Sequence, residues 1–176
     1  KVIVNANGES RDRIPACIKR AVQDPESYDF SGQIWNPSKK YVWKDKDFDP
    51  KQIQEPVIYE CHVGMAQEKE GVGTYLEFAE NILPRIQKLG YNTIQMMAIK
   101  EHPYYGSFGY HVSNFFAPTS RFGTPDGLKY LVDKAHEMGI AVIMDAVYSH
   151  SVKNMAEGLN HFDGSGHQYF HEGGKG

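Results

Sequence analysis

An acid and a histidine five positions apart, Asp145 and His150, close the apolar run Ile140-Ala-Val-Ile-Met-Asp-Ala-Val-Tyr-Ser-His150. A continuous apolar run reads as a buried parallel strand, with polar groups only where it emerges. The carboxyl end of such a strand is where α/β folds place ligands and chemistry. A carboxylate and an imidazole there suit the binding of a polar substrate. The bland alternative is an aspartate that only caps the following loop.

The flanking sequence predicts the elements that position these groups. Before the strand, Thr124 is a natural N-cap, Pro125 fits the first helical position and Gly139 supplies a left-handed stop. Between them Leu128, Leu131, Val132 and Ala135 recur at helical spacing. The same grammar occurs one unit earlier. The apolar stretch Val57-Ile-Tyr-Glu-Cys-His-Val63 leads to the capping box Thr74-Tyr-Leu-Glu77, and Leu76, Ala79, Ile82, Leu83, Ile86 and Leu89 are expected on one helical face. Gly90 stops that helix, Pro84 should kink or split it, and Thr93-Ile-Gln-Met-Met-Ala-Ile99 forms the next strand. Strand, helix, strand, helix, strand implies an α/β fold with a parallel sheet.

Several segments together resemble the α-amylase superfamily, and within it the 1,4-alpha-glucan branching enzymes. They are Tyr59-Glu-Cys-His-Val-Gly64, Leu83-Pro-Arg-Ile86, Leu89-Gly-Tyr-Asn92, Phe108-Gly-Tyr-His-Val-Ser-Asn-Phe-Phe-Ala117, Arg121-Phe-Gly-Thr-Pro125, Ala135-His-Glu-Met-Gly-Ile140, Asp145-Ala-Val-Tyr-Ser-His150 and Gly158-Leu-Asn-His-Phe-Asp-Gly164. The resemblance implies a partial (β/α)8 TIM barrel, its first βαβαβ and the start of the third loop, preceded by the end of a β-sandwich carbohydrate-binding module. Residues 1–48 are then expected to be that module, 49–56 a linker, and 57–176 the N-terminal part of the catalytic domain. A complete barrel takes ~250 residues, so the 120 residues from Val57 onward are expected to be part of a longer enzyme.

The same resemblance assigns roles. Asp145 matches an aspartate that supports the site without attacking the sugar, His150 a histidine that binds a sugar hydroxyl, and Tyr110 a tyrosine whose ring carries the sugar at the cleavage point. Tyr104 and Tyr105 are candidates for outer sugar subsites, with self-packing of an aromatic loop as the alternative. The family's nucleophilic aspartate and acid/base glutamate match nothing in this chain, so the polypeptide alone is expected to be inactive. Ala146 and Tyr148 stand where the family more often has a β-branched residue and a histidine. The implied activity is cleavage of an α-1,4-glucan (glycogen, amylose or starch) and transfer to a 6-hydroxyl, with no cofactor and no metal. A superfamily hydrolase or debranching enzyme, or a non-catalytic glucan-binding fragment, is the alternative.

Composition sets the remaining bounds. A net charge of -3 without a basic run excludes nucleic acid as an expected partner. No apolar stretch approaches the ~20 residues of a membrane span, and the expected compartment is the cytoplasm, or a plastid in a plant. Cys17 and Cys61 are expected to be free thiols. Residues 1–48 are short alternating segments broken by Pro and Gly, the texture of sandwich strands. Trp35 and Trp43 are either core of such a module or stacking surfaces for glucan. Cys61-His62 lacks metal spacing and is expected at a buried strand end. His161, His167 and His171, near Asp163 and Glu172, have no spacing that compels a cation. An opened barrel exposes strand edges, so self-association of the isolated chain is expected.

Overall fold

The computed structural model describes residues 1–45 and 47–171. In chain order its regular elements are β1 (Val2–Ala6), β2 (Glu9–Arg13), β3 (Ala21–Gln23), β4 (Phe30–Gly32), β5 (Ile58–Cys61), α1 (Tyr75–Glu77), α2 (Leu83–Lys88), β6 (Thr93–Met96), β7 (Lys100–Glu101), β8 (Asn114–Pro118), α3 (Pro125–Glu137) and β9 (Ala141–Met144). They fall into two compact units, one made of residues 36–99 and 119–146, the other of residues 1–35 and 100–118 and the chain from Val147 onward.

The first of these is the predicted βαβαβ array. Its sheet has the order β5-β6-β9, all parallel, with Tyr59 opposite Ile94 and Ile94 opposite Val142. Thr74 caps the first helix as expected. Its Oγ1 accepts from the Glu77 amide at 3.1 Å and its own amide donates to Glu77 Oε2 at 3.1 Å. The Lys69 ammonium, followed by Gln67 and Thr74, holds the Glu77 carboxyl down at about 2. The split foreseen at Pro84 takes the form of a π-helical turn over Phe78–Ile82, in which the Leu83 amide reaches back to the Phe78 carbonyl. A proline has no amide hydrogen and its ring crowds the carbonyl four residues earlier; the wider turn just before it accommodates both.

Two details of this unit correct the sequence reading. Leu76 and Leu89, expected on the apolar face, are 52% and 71% exposed. The buried stripe is Tyr75, Phe78, Ala79, Ile82, Leu83 and Ile86, because Tyr75 takes the inward position of the first turn, its hydroxyl donating to the Thr119 carbonyl and its ring set edge-on to Phe122. The apolar run ending in Asp145 is also less buried than expected: Ile143 and Met144 are 42% and 46% exposed. β9 is the last strand of its sheet, with no further strand beside it among the described residues, so its apolar side chains meet only part of the cover that a central strand receives.

Helix α3 is stopped at both ends as predicted. Thr124 Oγ1 accepts from the Gly127 amide, and Gly139 at φ 74° lets the Ile140 amide return to the Ala135 carbonyl. On its buried side lies Asp133, which accepts from the Tyr41 hydroxyl at 2.6 Å and from the amides of Lys44 and Asp45 at 2.9 and 3.0 Å. Burial alone would push this carboxyl up; the three donors outweigh it and leave its pKa below the ordinary aspartate value. His136, one helical turn on, binds Asp45 at 2.6 Å and stacks on Phe48. Tyr41, Lys44, Asp45 and Phe48 are thus fastened to the helix, and Asp49 caps a short 3-10 turn at Pro50–Gln52 within the expected linker.

The other unit contains little regular structure. β1 and β2 form an antiparallel hairpin around Asn7 and Gly8, both at positive φ, which is the turn that matches strand twist in a two-residue connection. β3 and β4 make a second hairpin, and β7 and β8 a third antiparallel pair. The described residues among 1–48, expected as part of a sandwich, carry two separate two-stranded ribbons. From Val147 to His171 there is neither helix nor strand. The tail from Glu172 to Gly176 lies outside the described residues.

Candidate functional site

Asp145 stands at the carboxyl end of β9. Its amide donates to the Met96 carbonyl at 3.0 Å, which extends the β6–β9 ladder by one bond and fixes the backbone from which the carboxylate projects. The side chain is half-buried. Two residues at another strand end of the same sheet are more enclosed. Cys61 and His62, at the end of β5, are buried, as expected of a strand end. Burial pushes the Cys61 thiol up to about 12 and pushes His62 down, so an uncharged thiol and imidazole are favoured there. The His62 ring lies edge-on to Phe122 at 5.4 Å. A thiol held in its protonated form is a poor nucleophile.

Tyr104, Tyr105, Tyr110 and His150 belong to the other unit, where loops carry them. Tyr110 follows two successive residues at positive φ, Phe108 and Gly109, and its amide donates to the Ser107 carbonyl. The tyrosine is half-buried. Tyr104 is 64% exposed and its ring folds over Gly106, where a Cβ would stand 2.5 Å from the ring. His150 is exposed at a turn. The segments bearing Tyr110 and His150 are joined by the Val152 amide, which donates to the Val112 carbonyl at 3.0 Å.

Tyr148, noted as a departure from the family pattern, has a defined environment. Lys100 Nζ donates to its hydroxyl at 2.8 Å and to the Phe115 carbonyl at 2.8 Å, and Phe115 packs edge-on to its ring. Asp163 accepts from the hydroxyl and amide of Ser165, which lower its pKa. No group of three potential metal ligands comes together among the described residues, and Glu172 lies outside them. Cys17 and Cys61 are both free thiols, as expected. Trp35 receives the Arg20 guanidinium over its ring and Trp43 packs edge-on to Tyr41.

Among the buried charged side chains that sequence reasoning passed over are Asp133 and Arg13, each only 2% exposed. Asp133 was signalled by an acid between Val132 and the rest of an apolar helical face. Arg13 had no such signal, since its acceptors are backbone carbonyls more than a hundred residues away.

A parallel array with an aspartate at the end of its third strand defines a class, and comparison with known proteins agrees. The alpha amylase catalytic domain matches residues 67–173, and the chain belongs to that family. A putative alpha amylase from Salmonella typhimurium shares the fold, with a TM-score of 0.55 and 23% identity over 69% of this chain and 24% of its own. Among curated relatives, the 1,4-alpha-glucan-branching enzyme of Dictyostelium discoideum is 54% identical over 97% of this chain and 25% of its own length. The chloroplastic/amyloplastic 1,4-alpha-glucan-branching enzyme 2-2 of Arabidopsis thaliana is 51% identical over 100% of this chain and 22% of its own. The chain therefore spans about a quarter of the length of these relatives. Among the described residues no helix is long and apolar enough to cross a membrane.

Proposed function

We propose that this chain belongs to a 1,4-alpha-glucan-branching enzyme, which cleaves an α-1,4-glucan and transfers the released segment to a 6-hydroxyl. The observation that carries the proposal is the 54% identity to such an enzyme along 97% of the chain, which includes the loops around Tyr110 and His150 as well as the sheet. In this reading Asp145 supplies negative charge beside the oxocarbenium-like sugar, His150 binds a hydroxyl, and the Tyr110 ring receives the apolar face. Tyr104 and Tyr105 contact outer sugars. The nucleophile and the acid come from sequence beyond these motifs. Residues 1–48 are the end of a carbohydrate-binding module, for which the antiparallel ribbons are the support. The compartment is the cytoplasm, or the plastid if the source is a plant, as in the Arabidopsis relative's name.

The test is incubation of the full-length protein with amylose, following iodine absorbance, reducing ends and the anomeric NMR signal of α-1,6 linkages. New α-1,6 signal without a matching rise in reducing ends is expected. A rise in reducing ends with no α-1,6 signal would establish a hydrolase instead. The 176-residue polypeptide on its own is expected to show neither.

A further inference from the structure

The loops that carry Tyr110 and His150 have almost no regular structure, so their shape depends on individual anchors. One buried anchor comes from the opposite end of the same unit's sequence. Arg13, at the end of β2, is buried, and its Nη2 donates to the Gly158 carbonyl at 3.0 Å and to the Asn160 carbonyl at 2.8 Å. Its guanidinium also lies over the Phe162 ring, 5.3 Å from the centroid. Three contacts thus converge within residues 158–162. Glycine is required nearby: a Cβ on Gly158 would stand 2.5 Å from the Asn154 carbonyl, and one on Gly164 would stand 2.7 Å from the Arg11 guanidinium.

From this anchor the contacts run on toward the predicted sugar-binding residues. The carbonyl of Glu157, next to Gly158, accepts from Asn114 Nδ2 at 3.2 Å, and Asn114 in turn accepts from the Ser113 hydroxyl. Asn160 Nδ2 donates to the Lys153 carbonyl at 2.8 Å, and Val152 is bonded to Val112, two residues after Tyr110. Burying a guanidinium against carbonyls rather than a carboxylate is costly, and burial together with the charge of Arg11 lowers its pKa. Nη2 nevertheless supplies both N–H groups to the two carbonyls while the guanidinium lies over the Phe162 ring.

Resting on the branching reading above, we propose that Arg13 is a positioning residue for glucan binding: it pins the 157–162 loop to the first hairpin and so sets the segments that carry Tyr110 and His150. The hairpin is then part of the sugar-binding machinery and not a separable appendage.

The experiment compares the full-length wild type with Arg13→Met, Arg13→Lys and Phe162→Leu. Maltoheptaose affinity is measured by calorimetry, KM and kcat on amylose by the branching assay, and loop exposure by chymotryptic cleavage at Phe162 and Tyr169. Misplacement by ~1 Å can cost ~100-fold. Arg13→Met is expected to weaken maltoheptaose binding and raise KM roughly tenfold with a smaller change in kcat, and to speed cleavage at Tyr169. Arg13→Lys, which keeps charge but reaches fewer acceptors, should fall between it and wild type. Phe162→Leu should show the same KM signature at smaller size.

Folded Arg13→Met with wild-type affinity and KM overturns the proposal. If Arg13→Met does not fold, wild-type binding by both Arg13→Lys and Phe162→Leu overturns it equally. The two readings fail separately. A wild type that binds maltoheptaose but makes no α-1,6 linkage, with binding lost in Arg13→Met, refutes branching and leaves the positioning role. Normal branching with unchanged Arg13→Met binding does the reverse, and a wild type that neither binds nor branches refutes both.

Discussion

The two units hold the candidate residues by different means. In the unit containing β5, β6 and β9, Asp145 is placed by a ladder: each strand is registered to the next and the Asp145 amide continues the pattern. In the other unit, Tyr110 lies between the short paired strands β7 and β8, and the loops around it and His150 are tied by single bonds between residues far apart in sequence, such as Arg13 to Gly158 and Lys100 to Tyr148. A ladder spreads its strength over many equivalent bonds. A set of single anchors concentrates it, so one substitution acts on a whole loop. Damage to the packing of the first unit should therefore appear mainly as lost stability, and damage to the anchors of the second mainly as altered binding.

The largest stability effect should come from Leu131→Ala, since Leu131 is fully buried on α3. A cost of ~2–5 kcal/mol is expected, read as a shift in the denaturation midpoint; a shift within error would mean that the ladder unit is not organised around this core. Next, Asp145→Asn should leave folding intact and lower turnover of the full-length protein by ~100-fold or more, because it removes charge aimed at the transition state. Tyr110→Ala should cost only ~1 kcal/mol, roughly fivefold, in kcat/KM. Equal, near wild-type kinetics in both would refute both roles.

Asp133→Ala should cost ~1–3 kcal/mol by stranding the donors of residues 41–45. It should also open that segment to trypsin at Lys44. Because the folded pKa of Asp133 lies below its unfolded value of ~3.9, its contribution is present above pH ~4 and lost as pH falls through the folded value. The wild type should lose stability in that acidic range more steeply than the variant. The smallest effect is expected of Thr74→Ala, at ~1 kcal/mol for the lost cap. In this variant the acid sensitivity tied to Glu77, whose contribution fades between ~4.3 and about 2 in the wild type, should also shrink.

The ladder unit was legible because its signals are local. Thr124, Pro125 and Gly139 mark one helix within sixteen residues, and alternation of apolar runs with helical spacing dictates a parallel sheet. What was missed there was phase: spacing alone cannot say whether Tyr75 or Leu76 turns inward, since that depends on the Thr119 carbonyl and the Phe122 ring. In the loop unit the short strands near the start were legible from alternation, but the site residues only through resemblance. No periodicity announces that the guanidinium of Arg13 will find the carbonyl of Gly158, because a backbone acceptor has no residue type. The Asn7-Gly8 turn was an exception, a local hairpin signal that reading for chemistry passed over.

The π turn at Phe78–Ile82 has a consequence for how this helix can change over generations. Losing one residue between Ala79 and Asn81 would tighten the turn and drive a carbonyl into the ring of Pro84, while replacing Pro84 alone would leave a wide turn without its reason. Each change is a misstep in isolation, and together they restore an ordinary helix. Lineages that carry the proline should therefore keep the extra residue, and the two characters should be gained or lost as a pair.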